Sequence, residues 1–122
     1  MGKCVIIELP YPPSVNTYWR ANGKRRFISK EGVLFKTAVQ AICLRDKVGS
    51  FGNARLCVNI YIHPRSRRIF DLDNCLKAIL DALMSANVYD DDSQIDMLSI
   101  SRSTPRKGGA AVVSISEYGT EG

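Results

Sequence analysis

The sequence predicts a single α+β domain, in which a mixed β-sheet packs against two main helices. The chain has 122 residues, which is enough for one modest hydrophobic core and too few for two. Two segments carry apolar residues at helical spacing, whereas several others are rich in β-branched residues, as strands are. Because the helices are few and the last two strands are predicted to form a terminal hairpin, a mixed sheet is favoured over a doubly wound parallel one.

The first elements are predicted from β-branched residues and prolines. Residues 4–9 form a strand that ends at Pro10-Tyr11-Pro12-Pro13, because prolines cannot donate ladder hydrogen bonds. Residues 14–24 are predicted to be an irregular loop. A short strand follows at 26–28.

The two main helices are predicted from their apolar periodicity. Ser29 is a suitable N-cap for a helix over about 30–46. Its core-facing residues are Phe35, Ala38, Val39, Ile42 and Cys43. A second helix is expected over about 73–86, with Asn87 near its end. One apolar stripe runs along it, formed by Leu76, Ile79, Leu80, Leu83 and Met84.

The remaining strands are predicted in the second half of the chain, over 56–62, 95–102 and 111–117. Pro64 and a basic loop end the first of them, and an acidic turn at 90–93 precedes the second. Gly108 and Gly109 turn the chain into the last strand.

The composition is that of a globular protein, with 45% hydrophobic and 24% charged residues. No stretch approaches the ~18–20 consecutive apolar residues of a membrane span. Glu8 interrupts the short apolar run near the N-terminus, so a signal peptide is not expected. A cytoplasmic location is therefore predicted. Without repeats or linkers, residues 1–122 are interpreted as one domain.

Metal sites built on cysteine or histidine are not expected. The four cysteines form no C-x-x-C pair, and reduced thiols are predicted for Cys4, Cys43, Cys57 and Cys75. Neither their spacing nor the lone histidine supplies a zinc ligand set. His63 is interpreted as structural or solvated rather than as a site residue.

The charge distribution points to a polyanionic partner. The formal net charge is +5, and the basic residues gather in Lys24-Arg25-Arg26, in Arg65, Arg67 and Arg68, and in Arg102, Arg106 and Lys107. The acidic residues gather in Asp71, Asp73, Asp81 and Asp90-Asp91-Asp92. An enzyme that cleaves phosphodiesters with a cation needs both kinds of cluster, because basic residues bind phosphates and carboxylates bind the cation.

The acidic residues around the second helix form a candidate cation site. Asp73, Lys77 and Asp81 are spaced by four and lie along one helix face, and Asp71 lies just before the helix. Two such carboxylates can converge on Mg²⁺, a hard ion that is typically held by one or two carboxylates, waters and substrate phosphate. A third carboxylate would come from 90–92, about 20 Å away at the far end of the helix. Either the following strand starts beside the first helical turn, or a partner chain supplies this carboxylate.

The same residues also allow a purely structural interpretation. Asp73, Lys77 and Asp81 would then form an i,i+4 ion-pair ladder, stabilising the helix by ~0.3–0.5 kcal/mol per pair. Asp71 would cap the helix, and residues 90–92 would form a polar turn. Spacing alone favours this interpretation, because a D-x-D motif is weak evidence by itself.

A chain-long resemblance changes this balance. The segment Leu9-Pro10-Tyr11-Pro12-Pro13-Ser14-Val15-Asn16, with Trp19-Arg20, resembles the proline-rich entry of RusA-type Holliday-junction resolvases. Asp71-Leu72-Asp73-Asn74, Lys77 and Asp81-Ala82-Leu83 are similar to the core motif of that family. The region from Tyr89 to Ile95 resembles its second acidic motif, and Lys107-Gly108-Gly109 also fits. The order and spacing of these pieces are specific to the family.

The resemblance implies a crossover junction endodeoxyribonuclease that works as a homodimer on four-way DNA junctions, with Mg²⁺ or alternatively Mn²⁺. It implies that Asp71, Asp73 and Asp92 bind the metal, with Asp91 as the alternative to Asp92, and that Lys77 is the catalytic lysine. One departure is that Ile69-Phe70, rather than a basic residue, precede Asp71. The basic loops would bind DNA phosphates through Lys24, Arg25, Arg26, Arg65, Arg67 and Arg68. Trp19 or Tyr11 would stack on an unpaired base, or alternatively pack in the core or at a dimer contact.

Two other functions are compatible with parts of this pattern. A basic DNA-binding protein without catalysis would use Asp71, Asp73 and Asp92 only as cap and turn residues. A phosphatase with an aspartate nucleophile also carries a D-x-D motif. The chain is short for the parallel sheet of such a phosphatase, and a basic loop, not a buried strand, precedes Asp71.

Overall fold

The computed structural model describes residues 3–22, 25–68 and 70–118. Within these ranges, the side chains of residues 15, 16, 19–22, 25 and 26 are not described. The elements are, in chain order, β1 (Cys4–Leu9), α1 (Val15–Tyr18), β2 (Trp19–Asn22), β3 (Arg25–Ile28), α2 (Lys30–Arg45), β4 (Leu56–His63), α3 (Asp73–Ser85), a 3₁₀ turn (Asp92–Gln94), β5 (Ile95–Arg102) and β6 (Ala110–Glu117).

Four strands form a mixed sheet in the order β1-β6-β4-β5. β6 is antiparallel to both β1 and β4, whereas β4 and β5 are parallel. The predicted terminal hairpin is therefore wrong, because β4 lies between the last two strands. Parallel neighbours need a crossover connection, and α3 provides it between β4 and β5. The predicted fold class, a small α+β domain with a mixed sheet and two main helices, is confirmed.

The core lies between the sheet and the pair α2–α3. Alternate residues of β4 are completely buried on this side, namely Leu56, Val58, Ile60 and Ile62. Burial of each such side chain contributes about 1.5–3 kcal/mol. The described buried residues form one connected cluster, consistent with one domain.

The predicted loop over residues 14–24 is wrong. Residues 15–18 form α1, and β2 pairs antiparallel with β3 as a small separate hairpin. Tyr18 is fully buried, and its carbonyl oxygen accepts the backbone N–H of Ser29 at 2.8 Å. A four-residue strand is too short to show the alternation by which strands are recognised, so this ordering depends on tertiary contacts.

The predicted N-cap of α2 is confirmed. The Ser29 hydroxyl accepts the backbone N–H of Gly32 at 3.1 Å and donates to the carbonyl oxygen of Thr17. Phe35, Val39 and Cys43 are buried, and Ala38 and Ile42 are half-buried, as expected for the core-facing side.

The predicted apolar stripe of α3 faces the core. Ile79 and Leu83 are buried, and Leu76, Leu80 and Met84 are half-buried and pack against the core. The other buried positions are Cys75, Ala78 and Ala82. These small residues allow the helix to pack closely against the core. The helix ends at Ser85, and Asn87 has a positive φ of 61°, the left-handed conformation that Asn tolerates after a helix.

Cys4, Cys43, Cys57 and Cys75 are free, as expected. His63 is 8% exposed, and its Nδ1 lies 2.8 Å from the carbonyl oxygen of Thr104. His63 is therefore a structural residue. Within the described ranges, no helix is both long and apolar enough to cross a membrane.

Candidate active site

Asp71 and Asp73 lie where the basic loop after β4 enters α3. Asp73 is the first residue of the helix and Asp71 precedes it by two. Both side chains are exposed. The backbone carbonyl of Asp71 accepts the Asn74 N–H at 3.2 Å, which fixes the start of the helix without the carboxylate.

Neither carboxylate caps α3 with a side-chain hydrogen bond in the described part of the chain. The residue at the N-cap is Leu72, and no side-chain hydrogen bond caps α3. The interpretation of Asp71 as a capping residue is therefore wrong. Among the described residues, neither Asp71 nor Asp73 has a side-chain hydrogen bond or an ion pair. Two adjacent exposed carboxylates without partners are available to a ligand.

Asp81 is engaged in a polar cluster instead of facing solvent. Its carboxylate accepts the phenolic O–H of Tyr18 at 2.7 Å. Lys36 lies 3.7 Å from one oxygen of Asp81, and Lys77 lies 4.0 Å from the other. Burial and the hydrogen bond to Asp81 raise the pKa of Tyr18. Only the Lys77–Asp81 half of the ion-pair ladder is therefore present, and Lys77 is held one turn beyond Asp73.

The acidic turn separates the roles of its last two aspartates. The Asp91 carboxylate accepts the backbone N–H of Ser93 at 2.9 Å, and the Gln94 side chain accepts the backbone N–H of Asp91, completing a capping box. The hydrogen bonds from Ser93 lower the pKa of Asp91. Asp92 is half-buried, and no side-chain hydrogen bond to it occurs in the described part of the chain. Burial is the main cause that raises the pKa of Tyr89, and the negative charge of Asp92 adds to it.

The two parts of the predicted site lie at opposite ends of the sheet. Ile95 pairs with Leu56 at the start of β4, and Arg102 pairs with Ile62 near its end. Arg102 also donates to the carbonyl oxygen of Phe70, next to Asp71. Since β5 spans about 23 Å at ~3.3 Å per residue, Asp92 and Asp71 lie near opposite ends of this strand. A strand start beside the first turn of α3 is thus excluded within one chain.

The donor chemistry fits a hard divalent cation only in part. Asp71 and Asp73 offer the carboxylate oxygens that Mg²⁺ and Mn²⁺ favour. In residues 3–22, 25–68 and 70–118, no group of three His, Cys, Asp or Glu side chains could hold a metal ion. Cys75 lies close by, but burial raises its thiol pKa, which disfavours a thiolate ligand. Within the described part of one chain, Asp71 and Asp73 are therefore not joined by the third carboxylate of the predicted set.

Aromatic and basic side chains surround the start of α3. The Arg65 guanidinium lies 4.5 Å from the ring centroid of Tyr11, and that of Arg102 lies 4.8 Å from the ring centroid of Phe70. The two rings contact each other edge to face, with centroids 6.3 Å apart. The Tyr11 ring therefore packs against Arg65 and Phe70. A Cβ on Gly109 would lie 2.5 Å from the Tyr11 ring, so this glycine permits the packing.

A groove of 640 Å³ opens beside these residues. The proline-rich segment 10–13 forms one wall, α2 forms another, and Phe70 and Asn74 connect it to the aspartates. A smaller depression of 130 Å³ lies between Arg67, Arg68 and Arg102. Arg102 belonged to a basic cluster in the sequence but not to the predicted site, because only the parallel register brings it next to Phe70.

The predicted DNA-binding residues are only partly described. Arg65, Arg67 and Arg68 are exposed in the loop after β4, near Asp71. Arg25 and Arg26 lie in β3, but their side chains are not described, and neither is that of Trp19. Lys24 lies outside the described residues. Ile69 is also outside the described residues.

Comparison with known proteins identifies related sequences. Residues 10–116 match the model of the family described as endodeoxyribonuclease RusA. The chain is 38% identical over 109 residues to a crossover junction endodeoxyribonuclease of Enterobacteria phage HK97, which covers 89% of this chain and 91% of the relative. It is 36% identical over 116 residues to the protein of that name from Escherichia coli K12, and the alignment covers 94% of this chain and 96% of the relative. The corresponding protein of Enterobacteria phage 82 is 37% identical over 116 residues, with the same coverage.

Proposed function

Because the chain belongs to the RusA endodeoxyribonuclease family, we propose that it resolves four-way (Holliday) DNA junctions. The reaction is hydrolysis of phosphodiester bonds, with paired and symmetric nicks in two opposing strands. Its biological context is DNA recombination and repair. The relatives that share 36–38% of their residues with this chain are named crossover junction endodeoxyribonucleases and align over almost its full length.

The observation that carries the assignment to a particular site is the pair Asp71 and Asp73. Both carboxylates are exposed, and neither has a protein partner in the described part of the chain. Asp73, in the first turn of α3, gains only the modest interaction with the helix dipole, about 0.3–1 kcal/mol. The pair is useful to an enzyme that needs two oxygen ligands beside a phosphate-binding loop.

Asp71 and Asp73 would hold Mg²⁺, or alternatively Mn²⁺, against the scissile phosphate. The cation would lower the pKa of the attacking water and polarise a phosphoryl oxygen. Lys77, one turn along α3, would stabilise the negative charge that grows on the phosphate in the transition state. Asp81 keeps the Lys77 ammonium on this side of the helix through their 4.0 Å contact.

The third carboxylate would come from Asp92 of a partner subunit. The opposite positions of Asp71 and Asp92 along β5 support this, because one chain cannot bring them together. A two-fold dimer would form two equivalent sites, as a junction nicked symmetrically requires. Of the two candidate aspartates, Asp92 is favoured, since the Asp91 carboxylate caps the 3₁₀ turn.

Arg65, Arg67 and Arg68 would bind the phosphates next to the cleaved bond, because their loop leads directly to Asp71. Lys24, Arg25 and Arg26 would extend this basic surface. Arg102 is an addition to the predicted set, since it lies with Arg67 and Arg68 around one depression.

A basic DNA-binding protein without catalysis is not favoured, since the similar proteins are named endodeoxyribonucleases. It also requires Asp71 to be a cap residue, which it is not.

Cleavage of a synthetic four-way junction tests the proposal. The wild-type protein should nick the junction in Mg²⁺ and not in excess chelator, whereas Asp73→Asn should bind the junction and leave it intact. Asp90→Asn is the matched control, because Asp90 is an exposed aspartate of the acidic turn without an assigned role. If Asp73→Asn cleaves the junction at the wild-type rate, the assignment of Asp73 to the active site is wrong. If the wild-type protein binds the junction but does not cleave it in either Mg²⁺ or Mn²⁺, the proposed nuclease activity is wrong.

A further inference from the structure

Tyr18 is a buried phenol at the base of the hairpin β2–β3. It is the last residue of α1, and its side chain is fully buried. Its carbonyl oxygen accepts the backbone N–H of Ser29, one residue beyond the pair Trp19–Ile28 that closes the hairpin. A Cβ added to Gly32 would lie 3.0 Å from the Tyr18 ring, so α2 packs tightly against this ring. The position of the phenol is therefore fixed by its own backbone and by α2.

The Tyr18 hydroxyl binds one particular oxygen of Asp81, on α3. Asp81 Oδ2 accepts the phenolic O–H at 2.7 Å. Burial and this hydrogen bond raise the pKa of Tyr18, so the phenol stays protonated and remains a donor around neutral pH. The Asp81 side chain is only 15% exposed, so water competes little for the bond. A hydrogen bond to a carboxylate is stronger than one between neutral groups, and this bond therefore restrains Asp81.

The two oxygens of Asp81 face different lysines. Oδ2, which Tyr18 binds, lies 3.7 Å from the ammonium of Lys36 on α2. Oδ1 lies 4.0 Å from the ammonium of Lys77, four residues earlier on α3. The terminal torsion of an aspartate is only weakly restricted, so the carboxylate turns freely unless a partner holds it. Because Tyr18 holds Oδ2, Oδ1 stays directed toward Lys77.

The contact restrains Lys77 without neutralising the cluster. One carboxylate, that of Asp81, lies between the ammonium groups of Lys36 and Lys77, so positive charge is in excess among these three side chains. The Lys77 side chain is 46% exposed, which leaves its ammonium accessible to a phosphate. An ion pair between a half-exposed lysine and a carboxylate is weak by itself. A fixed carboxylate is therefore needed to keep Lys77 in one place.

We propose that Tyr18 is a positioning residue for the cleavage reaction: its hydroxyl orients the Asp81 carboxylate, which holds the Lys77 ammonium one helical turn beyond Asp73. Tyr18 acts only through Asp81 and Lys77. The inference rests on the proposed function, because it requires Lys77 to act on the scissile phosphate. It goes beyond that function because it traces the position of Lys77 to the segment that precedes the hairpin, which is distant from α3 in the chain.

A double-mutant cycle in single-turnover junction cleavage tests the proposal. Tyr18→Phe removes only the hydroxyl, and we expect it to slow cleavage on the order of tenfold at unchanged junction affinity, because a displaced catalytic group is costly. In a Lys77→Met background the same change should slow cleavage by less than about twofold, because no lysine remains to be positioned. Equal slowing in the two backgrounds, or no slowing by Tyr18→Phe, would overturn the proposal.

Tyr89→Phe is the matched control for the loss of a buried phenol. Tyr89 is 1% exposed, and its hydroxyl donates to the carbonyl oxygen of Leu80, also on α3, at 2.6 Å. Both variants lose one buried hydrogen bond, and thermal unfolding shows that both are folded. Only Tyr18→Phe should slow cleavage, because the Tyr89 hydroxyl binds the backbone rather than Asp81. Slowing of the same size in both variants contradicts a positioning role for Tyr18.

The mobility of the Lys77 side chain provides a measurement without DNA. The NMR order parameter of its Cε–H bonds should fall in Tyr18→Phe and stay at the wild-type value in Tyr89→Phe. If Lys77 loses order in Tyr18→Phe but the wild-type protein cleaves no junction, the positioning role is supported and the nuclease assignment is wrong. If the wild-type protein cleaves the junction and Lys77 keeps its order in Tyr18→Phe, the nuclease assignment is supported and the role of Tyr18 is wrong.

Discussion

Ile95 lies beside Leu56, so β5 starts where β4 starts, and the two strands run parallel. This single pairing determines how the site can be assembled. It places Asp92 near the beginning of both strands, while Asp71 follows the end of β4. Asp92 and Asp71 of the same chain are therefore separated by the length of the strand, so the proposed set of three carboxylates would need a second copy.

Mixing two inactive variants tests this shared site. Asp71→Asn and Asp92→Asn, co-refolded in equal amounts, should recover nicking, because a mixed dimer keeps one site in which both residues are intact. Half of the dimers are mixed, and each has one working site of two, so about a quarter of the wild-type sites are expected. The measurement is nicking of a labelled junction.

The matched control is a mixture of Asp71→Asn with Asp73→Asn. Both changes affect the same half of a shared site, so no mixed dimer has an intact one. Absence of recovery in the first mixture, with an active wild-type protein refolded in the same way, would show that each site belongs to one chain.

Lys77 is predicted to act in the chemical step. Lys77→Met should lower kcat by about 10²–10³-fold with little change in junction affinity, the usual cost of losing one group that stabilises transition-state charge. Lys36→Met is the matched control, since Lys36 also contacts Asp81 but should leave the rate near wild type. Single-turnover cleavage measures both. Equal losses in the two variants would mean that the polar cluster serves folding alone.

Asp91 and Asp92 should respond differently to the same change. Asn caps a helical turn as well as Asp does, so Asp91→Asn should remain active. Asp92→Asn should lose cleavage and also the thermal stabilisation that Mn²⁺ is expected to give the wild-type protein, because the proposed third metal ligand is missing. Melting temperatures with and without Mn²⁺ provide a readout besides activity. The reverse pattern would exchange the two assignments.

Acid should weaken the fold through carboxylates whose pKa is lowered. The hydrogen bonds from Ser93 lower the pKa of Asp91 below its ordinary value of 3.8. The stabilisation is therefore complete above the ordinary pKa and is lost as the pH falls through the lowered value. Asp91→Asn does not titrate, so its free energy of unfolding should fall less between pH 6 and pH 3 than that of the wild type. Urea unfolding at both pH values measures this, and an equal fall would contradict the role of Asp91.

Ser29 is predicted to stabilise the fold through the start of α2. Ser29→Ala removes the acceptor for Gly32 and the donor to Thr17, and should cost about 1–2 kcal/mol in the free energy of unfolding. Thr104→Ala is a suitable control, because Thr104 is exposed and contacts His63 only through its backbone carbonyl. Denaturant unfolding compares the two. A loss for Ser29→Ala no larger than for Thr104→Ala would exclude the cap.

Most strands and both main helices could be predicted because their signals are local. β1 is bounded by Pro10, α2 by the cap Ser29, and the turn before β6 by two glycines with positive φ. The hairpin β2–β3 could not be predicted, because it depends on the burial of Tyr18 between α2 and α3. The buried side of α3 was missed in part because Ala78 and Ala82 give a weak hydrophobic signal, although they pack well.

The sequence by itself determined the fold class, the family resemblance and the residues that could do chemistry, since these depend on residue type and spacing. Only the tertiary structure decided how those residues combine. The Asp91 carboxylate caps the 3₁₀ turn, whereas that of Asp92 does not. Asp71 does not cap α3 with its side chain. The parallel pairing of β4 and β5 places Asp92 far from Asp71 in the same chain. These outcomes depend on contacts between segments distant in the chain, which residue spacing does not encode.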